Sequence, residues 1–549
     1  MQSNTRSVGR SGMRWLGSLL LLVSLWACVS LTASAQTIVG SITGVVSDPT
    51  GAVVPGAKVI LTDTNKGYTH NAVTDSVGRY LLLDLPASNY KLTVEAAGFK
   101  STTQEGITLD VAAKLAIDVK LQIGATTQSV EVVGAAPVLS TQDAVTGQEV
   151  DRSAINDLPL VDRSVLDLAF MAPGVIQVPG SAYGTSTSLN FVSNGGRNDT
   201  SDLLVDGIAA SSYEPNTAIY TPLFQPSVDA VQEFKIMQNN YSAEEGFSGN
   251  TYINMVIRSG TDAFHGDVYE CLRNKDLDAN NFFSNASGGK LPSLRKNQFG
   301  GSVGGPIRKD KTFFFFDFDG VREASGTTHN GGVPDAAERT GDFGEICTRT
   351  TGPNPPDGAF GAGGICSNAN GQLWDPYSGI YVPGTGRELQ TPIPFNNLAL
   401  FTSAGTAPGV VSKLPTAFQL APVAGNLIDP VASKMMSYYP MPNNGDNPYN
   451  NWAGSGANTD GNNQWDLRID QRFSEKMTFN ARYSMSSGPY QNWNCYGNAL
   501  DPCTQGPGVG GSRQVALNLN HTFSPTTILS VSLGFTRGLS NTQGITKDF

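Results

Sequence analysis

Two consecutive stretches near residue 470 alternate strictly between apolar and polar residues, and they constrain the fold more than any other feature. In the first stretch, Trp465, Leu467, Ile469 and Phe473 alternate with Asp466, Arg468, Asp470 and Arg472. In the second, Met477, Phe479, Ala481 and Tyr483 alternate with Thr478, Asn480, Arg482 and Ser484. A period of two places the two sets on opposite faces of a strand. The sequence therefore predicts an antiparallel hairpin with one apolar and one polar face, which turns at Ser474-Glu475.

Five further strands are expected on the same grounds. They are Gly266–Arg273, Gln298–Pro306, Thr312–Val321, Val515–Phe523 and Leu529–Phe535, and Phe313–Phe316 is expected to form an aromatic girdle. The turns at 308–311, 474–475 and 524–526 are very short, whereas segments 324–463 and 488–511 are long. Short turns at one end and long loops at the other are typical of a transmembrane antiparallel β-barrel, whose strands need about 9–11 residues. A soluble β-sandwich would share the alternation but not this asymmetry.

The composition excludes some function classes. The net charge of the 549 residues is −11, which disfavours a nucleic-acid partner. Only 15% of the residues are charged and 61 are glycine, a mixture typical of β-rich exported proteins. The four histidines are scattered, and neither an HExxH nor a GxSxG motif occurs, so no catalytic residue is assigned.

The N-terminus has the pattern of a cleaved signal peptide over residues 1–35. Arg6, Arg10 and Arg14 form its basic region, 15–31 is apolar, and the small residues 33–35 precede a cleavage between Ala35 and Gln36. A retained membrane anchor is the alternative, but an apolar run of about 17 residues is short for crossing a bilayer.

Five cysteines follow that cleavage site, and four of them form two closely spaced sets. Cys347 and Cys366 flank one Gly/Pro-rich segment, and Cys495 and Cys503 flank another. In an exported protein such sets usually staple loops, so these four are disulfide candidates. Metal binding is the weaker interpretation because the spacing does not suit zinc and no histidine lies close by. No metal or cofactor is expected.

Residues 194–261 contain four short motifs in a fixed order. They are Gly195-Gly196-Arg197, "LLVDG" with Asp206-Gly207, "VQEFKIMQNN" with Glu233 and Phe234, and Arg258-Ser259-Gly260-Thr261. This order resembles the second half of the plug domain of TonB-dependent outer-membrane receptors of the Oar-like branch. "VPDAAERTGDFGE" and "SKMMSYYPMPNN", further along, also resemble that branch. The resemblance implies that Arg197 and Arg258 pair with acidic residues of the barrel.

A second resemblance concerns residues 37–124. "GVVSDPTGAVVPGAKV", "TDSVGRY" and "LPASNYKLTVEAAGF" are similar to the carboxypeptidase regulatory-like domain, a non-catalytic sandwich of the prealbumin-like or starch-binding-like type. Some of its relatives bind carbohydrate. Tyr68, Tyr80, Tyr90 and Phe99 are expected to be core or turn-packing residues rather than sugar contacts.

The linker 125–134 carries Gln128-Ser129-Val130-Glu131-Val132-Val133-Gly134, a short β-prone segment with one acidic residue. In the family, such a TonB box adds as a strand to a TonB-type energy-transducing protein. The equally good interpretation is the last strand of the sandwich or the first of the plug. A more typical TonB box directly after the signal peptide is absent.

The expected fold is mainly β: a small β-sandwich, an α+β plug at 135–258, and the N-terminal part of a transmembrane β-barrel at 262–549 with long external loops. Seven strands are too few to close a barrel, for which the family uses about 22, so we expect a fragment of a longer receptor.

The resemblance implies an outer-membrane location among lipid, with TonB-coupled import of an extracellular ligand, either a glycan, a peptide or a siderophore. The alternative is a surface adhesion, assembly or carbohydrate-binding protein on the same scaffold, without transport.

Overall fold

The structure is a computed structural model. It describes residues 39–125, 129–133, 145–160, 162–177, 191–196, 201–212, 221–241, 249, 251–280, 282–286, 290–350, 357–382, 387–398, 429–445, 447, 449–498, 500, 501, 503, 506–524 and 527–544. Strands dominate this part of the chain, and the predicted mainly-β fold is confirmed. No helix within these residues is long and apolar enough to cross a membrane.

The N-terminal domain is a β-sandwich. Its strands are β1 (Gly40–Ser47), β2 (Lys58–Asp63), β3 (Thr69–Val73), β4 (Arg79–Leu85), β5 (Ser88–Glu95), β6 (Ser101–Leu109), β7 (Lys114–Ala116), β8 (Val119–Lys120) and β9 (Ser129–Val133). One sheet has the order β4-β1-β7 with β8 also paired to β1, and the other has the order β3-β2-β5-β6-β9. Alternate residues of β1 are buried, because one face of each sheet covers the shared core.

The tyrosines of this core also satisfy buried carbonyl groups. Tyr80 and Tyr90 are each 1% exposed. The Tyr80 hydroxyl donates to the Ile117 carbonyl oxygen at 2.7 Å, and the Tyr90 hydroxyl donates to the Pro86 carbonyl oxygen at 2.7 Å. Both are therefore core residues whose polar ends are paired within the domain.

The segment β9 lies at the edge of the second sheet. It pairs in parallel with β6, from Ser101↔Ser129 to Glu105↔Val133. The central part of the candidate TonB box is thus a strand of the sandwich sheet in this structure, while Gln128 and Gly134 lie outside the described residues.

The plug contains a five-stranded sheet. Its strands and accompanying short pairs are β10 (Thr146–Val150), β11 (Val175–Gln177), β12 (Phe191–Ser193), β13 (Asp202–Val205), β14 (Ile208–Ala209), β15 (Ser211–Ser212), β16 (Thr221–Pro222), β17 (Val231–Asn239) and β18 (Tyr252–Ile257). The sheet order is β10-β17-β18-β13-β14, with β13 and β18 parallel. An α-helix, Arg152–Asp157, and a 3₁₀ helix, Val165–Met171, pack beside it.

The plug has its own apolar core. Its buried residues come from β10, both helices, β13, β17 and β18, and Phe315 is the member that the barrel contributes among the described residues. A core that comes almost entirely from one domain allows that domain to keep most of its packing when a neighbour moves.

The third domain is a seven-stranded antiparallel sheet. Its strands are β19 (His265–Asn274), β20 (Leu294–Arg308), β21 (Thr312–Gly331), β24 (Trp452–Ser474), β25 (Met477–Gln491), β26 (Gly508–Ser524) and β27 (Thr527–Thr542), while β22 (Trp374–Val382) and β23 (Arg387–Pro392) form a separate hairpin. Consecutive strands of the sheet are neighbours. Several strands are longer than expected: β21 and β24 pair from Thr312↔Gln471 to Gly331↔Trp452, well beyond the length that a bilayer requires.

The faces of the sheet follow the predicted alternation. Trp465, Leu467 and Ile469 are 38% to 42% exposed on the outer face, whereas Asp466, Arg468 and Asp470 are at most 8% exposed on the inner face.

The prediction of an aromatic girdle at Phe313–Phe316 is wrong for Phe313 and Phe315. Phe313 and Phe315 are fully buried, because odd positions of β21 point inward toward the sandwich and the plug. The Phe313 ring centroid lies 5.8 Å from that of Tyr68.

The long segment between β21 and β24 forms a lobe, called the external lobe here after its predicted side of the membrane, and its described parts are folded. It contains the helices Glu345–Thr348 and Pro430–Met436 and the 3₁₀ turns Glu338–Thr340, Ala362–Gly364, Ala369–Gly371 and Pro394–Asn396. Elsewhere in the barrel domain, a 3₁₀ turn, Lys275–Leu277, and a helix, Phe282–Ala286, follow β19. Disulfides join Cys347 to Cys366 and Cys495 to Cys503.

Arg339 joins two sequence motifs of the lobe, "VPDAAERTGDFGE", to which it belongs, and "SKMMSYYPMPNN". Its guanidinium donates to the carbonyl oxygens of Met436 at 2.8 Å, Tyr439 at 3.0 Å and Pro440 at 2.7 Å. The first motif is therefore fixed to the exposed carbonyl groups at the end of the helix in the second.

We predict that Tyr80→Phe speeds hydrogen exchange of the β1 and β7 amides about fivefold. The substitution removes one buried hydrogen bond, which contributes about 1 kcal/mol. Tyr438→Phe is the control, because Tyr438 is 44% exposed. Unchanged exchange in Tyr80→Phe would show that the hydroxyl contributes nothing to the sandwich.

Candidate functional site: the plug–barrel interface

A tight turn of the plug, Asp206-Gly207, points into the barrel sheet. It joins β13 to β14, which pair at Val205↔Ile208. Both turn residues have positive φ, 50° at Asp206 and 76° at Gly207, as expected of a two-residue hairpin with the twist of its strands. The Asp206 carboxylate accepts from the Ile257 backbone N–H at 3.1 Å, and its side chain is 2% exposed. The carboxylate is thus held at the end of its own sheet, where barrel residues can reach it.

Arg482 of β25 meets this carboxylate. Its Nε lies 2.6 Å from Asp206 Oδ2, and its side chain is 1% exposed. The other guanidinium nitrogens donate to the Val205 carbonyl oxygen at 3.1 Å, to Gln514 Oε1 at 2.6 Å and to the Ser484 hydroxyl. Each polar edge of this buried cation is therefore satisfied, and the plug supplies two of the acceptors.

Arg468 of β24 binds the same carboxylate from a second side, and we call Asp206, Arg468 and Arg482 together the clamp. Its Nη1 lies 3.3 Å from Asp206 Oδ1 and 2.6 Å from the Ile257 carbonyl oxygen. On its other side, Nε and Nη2 donate to Asp470 at 3.1 Å and 3.0 Å. One plug carboxylate is thus held between two barrel guanidinium groups.

The network continues into the sandwich through Asp470. The Ser259 hydroxyl of the plug donates to Asp470 Oδ2 at 2.7 Å, and Lys66 Nζ of the sandwich lies 3.6 Å from Oδ1. Arg472, two residues further on, donates to the Thr69 carbonyl oxygen at 3.2 Å. Groups from all three domains therefore meet at the short-turn end of the barrel sheet.

Gly260 shows how closely the plug and the barrel approach at this end. A Cβ atom on Gly260 would lie 2.3 Å from the Phe314 carbonyl oxygen and 2.6 Å from the Gly305 carbonyl oxygen. Only glycine fits there without backbone movement. Thr261 closes the motif with a hydrogen bond from its hydroxyl to the Ala263 carbonyl oxygen at 2.9 Å.

A second polar contact surrounds Arg258. Its Nη1 donates to the Ser302 hydroxyl at 3.2 Å and lies 3.6 Å from Asp267 of β19, so this arginine does pair with a barrel acid. The Ser227 hydroxyl of the plug donates to Asp317 of β21 at 2.6 Å. These polar and ionic contacts lie beside apolar ones, which Phe315 makes with the plug core and Ile208 makes with Gly534 of β27.

A cavity of about 450 Å³ lies where the three domains meet. Its lining includes Asn89 from the sandwich, Gln232 from the plug, and Asn480 and Asn518 from the barrel sheet. Amide side chains such as these can donate and accept hydrogen bonds without carrying charge.

The remaining predicted site residues are dispersed. Phe234 is fully buried in the plug core, and Glu233 is 7% exposed on the same strand. Gly195 has a φ of 73° in the turn after β12, followed by Gly196. Arg197, Ala35 and Gln36 lie outside the described residues.

The sequence did not single out Arg468 and Arg482 as site residues, although the alternation places both on the inner face. The available signal was a cation on the inner face of a membrane strand, which needs a partner inside the barrel. The partner itself lies 262 residues away from Arg468 and 276 from Arg482. Periodicity alone does not reveal a pairing over such distances.

We predict that Asp206→Asn lowers the free energy that holds the plug in the barrel by about 3–5 kcal/mol, because it leaves two buried guanidinium groups without their shared anion. The measurement is the urea concentration at which protease first cleaves the plug in the detergent-solubilised chain. Asp278→Asn is the matched control, since Asp278 pairs with Arg273 at 3.4 Å where both side chains are partly exposed, and such pairs contribute about 1 kcal/mol or less. Equal shifts in the two variants would contradict the clamp.

Two domains of the chain match known protein families. Residues 41–122 match the family described as the carboxypeptidase regulatory-like domain, and residues 256–549 match the one described as the outer membrane beta barrel domain. The TonB-dependent transporter Oar of Myxococcus xanthus is 30% identical over 301 residues, which cover 52% of this chain and 27% of that protein. The chain thus spans about a quarter of the length of that relative.

Two solved structures match this chain over part of their length. The outer membrane transporter YddB of Escherichia coli has a TM-score of 0.38 and 12% identity, over 71% of this chain and 38% of that one. The ferric enterobactin receptor PfeA has a TM-score of 0.36 and 11% identity, over 73% of this chain and 42% of that one. The resemblances predicted from the motifs are confirmed by the family matches and by the homology to Oar. This outer-membrane protein belongs to the outer membrane beta barrel family, whose domain covers more than half of its chain.

Proposed function

We propose that the protein is a receptor that binds an extracellular ligand and takes it up across the outer membrane, with energy delivered by a TonB-type protein. The observation that carries this proposal is the polar interface around Asp206. A plug that has to leave a barrel needs contacts that can be exchanged for water, and hydrogen bonds and ion pairs meet that need better than a shared apolar core.

The self-contained plug core supports the same conclusion. Because its buried residues come from the plug apart from Phe315, moving the plug exposes little apolar surface. The Asp206 carboxylate and the two arginines would instead regain water as they part. We infer that the plug moves as a folded body, or that its sheet opens from the β14 edge beside the barrel strand β27.

The energy-coupling segment proposed here is Ser129–Val133 with its flanking residues. As an edge strand on β6 it has one side of its backbone unpaired by any described strand. Strand addition by a periplasmic partner requires such an edge or the release of the segment from β6. Both interpretations made from the sequence therefore remain compatible within one mechanism: a strand of the sandwich at rest and a TonB box when engaged.

The ligand side is assigned to the external lobe. Its disulfide between Cys347 and Cys366 and the Arg339 contacts give it a defined shape, and the loop closed by Cys495–Cys503 reaches it through the hydrogen bond from the Asn498 amide to the Tyr438 carbonyl oxygen. We propose a polar ligand of glycan, peptide or siderophore type, because the three-domain cavity on the route inward is lined by amide groups such as those of Asn480 and Asn518. Adhesion without transport is the competing function, which the lobe would serve equally well.

The coupling proposal predicts that Val132→Pro abolishes capture of the purified periplasmic domain of a TonB-type protein by the detergent-solubilised chain. Proline removes a backbone N–H from the segment and so blocks the strand ladder. Val132→Ile keeps the backbone and the β-propensity and should capture as well as the parent chain.

Two results would go against coupling through this segment. One is equal capture by Val132→Pro and Val132→Ile, and the other is unchanged capture after deletion of residues 128–134. Either result would show that capture does not depend on this segment, whereas failure of the parent chain to capture the TonB-type domain would favour the adhesion function.

A further inference from the structure

Three carboxyl groups from two domains converge where the sandwich meets the plug. Asp110 directly follows β6 of the sandwich, Glu149 is in β10 of the plug, and Glu233 is in β17. One carboxylate oxygen from each lies within 4.8 Å of the others. They are separate from the clamp around Asp206 and from the two disulfides.

The register of the plug sheet explains two of these three positions. Glu149 is opposite Lys235 across the β10–β17 pair, and Glu233 lies two residues before Lys235 on the same strand. Alternate residues of a strand share a face, so both glutamates project toward the sandwich side. There the Val111 backbone N–H donates to the Glu233 carboxylate, which brings the adjacent Asp110 into the group.

The negative charge of this group is only partly offset: the Asp110 and Glu149 carboxyl groups share a hydrogen bond, but Glu233 does not take part in it. Glu233 is 7% exposed, and its Oε1 is a buried atom that has no hydrogen-bond partner. The charged neighbours in the described residues are Asp151 and Lys235, which give one cation for four acidic side chains. An unpaired buried carboxylate is costly, so it demands either a proton or a cation. Burial and the nearby Asp110 accordingly raise the pKa of Glu233 to about 8.

We propose that Asp110, Glu149 and Glu233 bind a divalent cation, calcium, which joins the sandwich to the plug. The donor set consists of carboxylate oxygens, the ligands of hard cations, and no histidine or cysteine belongs to it. Calcium takes six to eight oxygen ligands in flexible geometry, so both oxygens of Glu149 and water would complete its shell. Magnesium demands near-ideal octahedral geometry, which ligands from two separately folded domains suit less well.

The site has a structural consequence. Binding requires the sandwich and the plug to be in contact, so the cation stabilises that contact and is released when the domains part. Asp110 directly follows the C-terminal end of β6, and the first half of that strand, Ser101–Glu105, pairs with the proposed coupling segment, so the ion would anchor the strand that holds this segment.

The test is equilibrium dialysis of the detergent-solubilised full chain against radioactive calcium, after removal of metal with EDTA. We expect about one calcium ion per chain, and an affinity at least tenfold lower in Glu233→Gln and in Asp110→Asn. Glu95→Gln is the matched control, because Glu95 is exposed at the end of β5 in the same sandwich and should bind calcium like the parent chain.

A thermal melt guards against misfolded variants. In EDTA, Glu233→Gln should melt close to the parent, since glutamine has the size of glutamic acid and its amide oxygen can still accept from the Val111 backbone N–H. Calcium should raise the melting temperature of the parent and of Glu95→Gln, but not that of Glu233→Gln. If Glu233→Gln does not fold, calcium binding is compared in Asp110→Asn instead, because Asp110 is only partly buried and its substitution disturbs the fold less.

The proposal is overturned if the parent chain binds no calcium, or if Glu233→Gln and Asp110→Asn bind it as tightly as Glu95→Gln. It is also overturned if magnesium at equal concentration raises the melting temperature of the parent as much as calcium does. None of these outcomes bears on capture of a TonB-type protein, so the site and the proposed function fail separately.

Discussion

The arrangement of the three domains depends on one buried carboxylate, that of Asp206, held between the guanidinium groups of Arg482 and Arg468. Placing an anion inside a barrel sheet costs desolvation energy, and only close pairing on both sides offsets that cost. The turn at Asp206-Gly207 places the carboxylate at the barrel sheet, and the period-two alternation of β24 and β25 places both arginines on the inner face of that sheet. Through Asp470 the same network reaches Ser259 of the plug and Lys66 of the sandwich.

With this kind of interface, different interactions stabilise the fold of the plug and attach the plug to the barrel. The plug is stabilised by its own apolar core, and the sandwich by another. Attachment to the barrel relies on directional polar contacts, which are specific in register but can be replaced by water once they are broken. A proposed transporter needs this combination, because its plug must stay folded while its position changes. The proposed calcium site would extend the same logic to the contact between sandwich and plug.

The sequence predicted the elements whose signal is local. Alternation identified the barrel strands and their faces, and the turn at Asp206-Gly207 followed from the conformational freedom of glycine. Strand length was underestimated, because a bilayer fixes only the minimum length while pairing between β21 and β24 continues beyond it. The girdle at Phe313–Phe316 failed for a related reason: a continuous aromatic run hides which residues face inward until the neighbouring domains are known. The partners of Arg468 and Arg482 are hundreds of residues distant, and no local pattern records them.

The central claim is that the plug is a folded body attached to the barrel by polar contacts rather than by a shared core. Hydrogen exchange of the detergent-solubilised chain along a urea gradient tests it most directly. The account predicts that the amides of the plug strands β13 and β18, which share one core, lose protection together and at a lower urea concentration than those of β24 and β25. Simultaneous loss of protection in β13, β18 and the barrel strands would contradict it, because that result would mean that plug and barrel form one cooperative core.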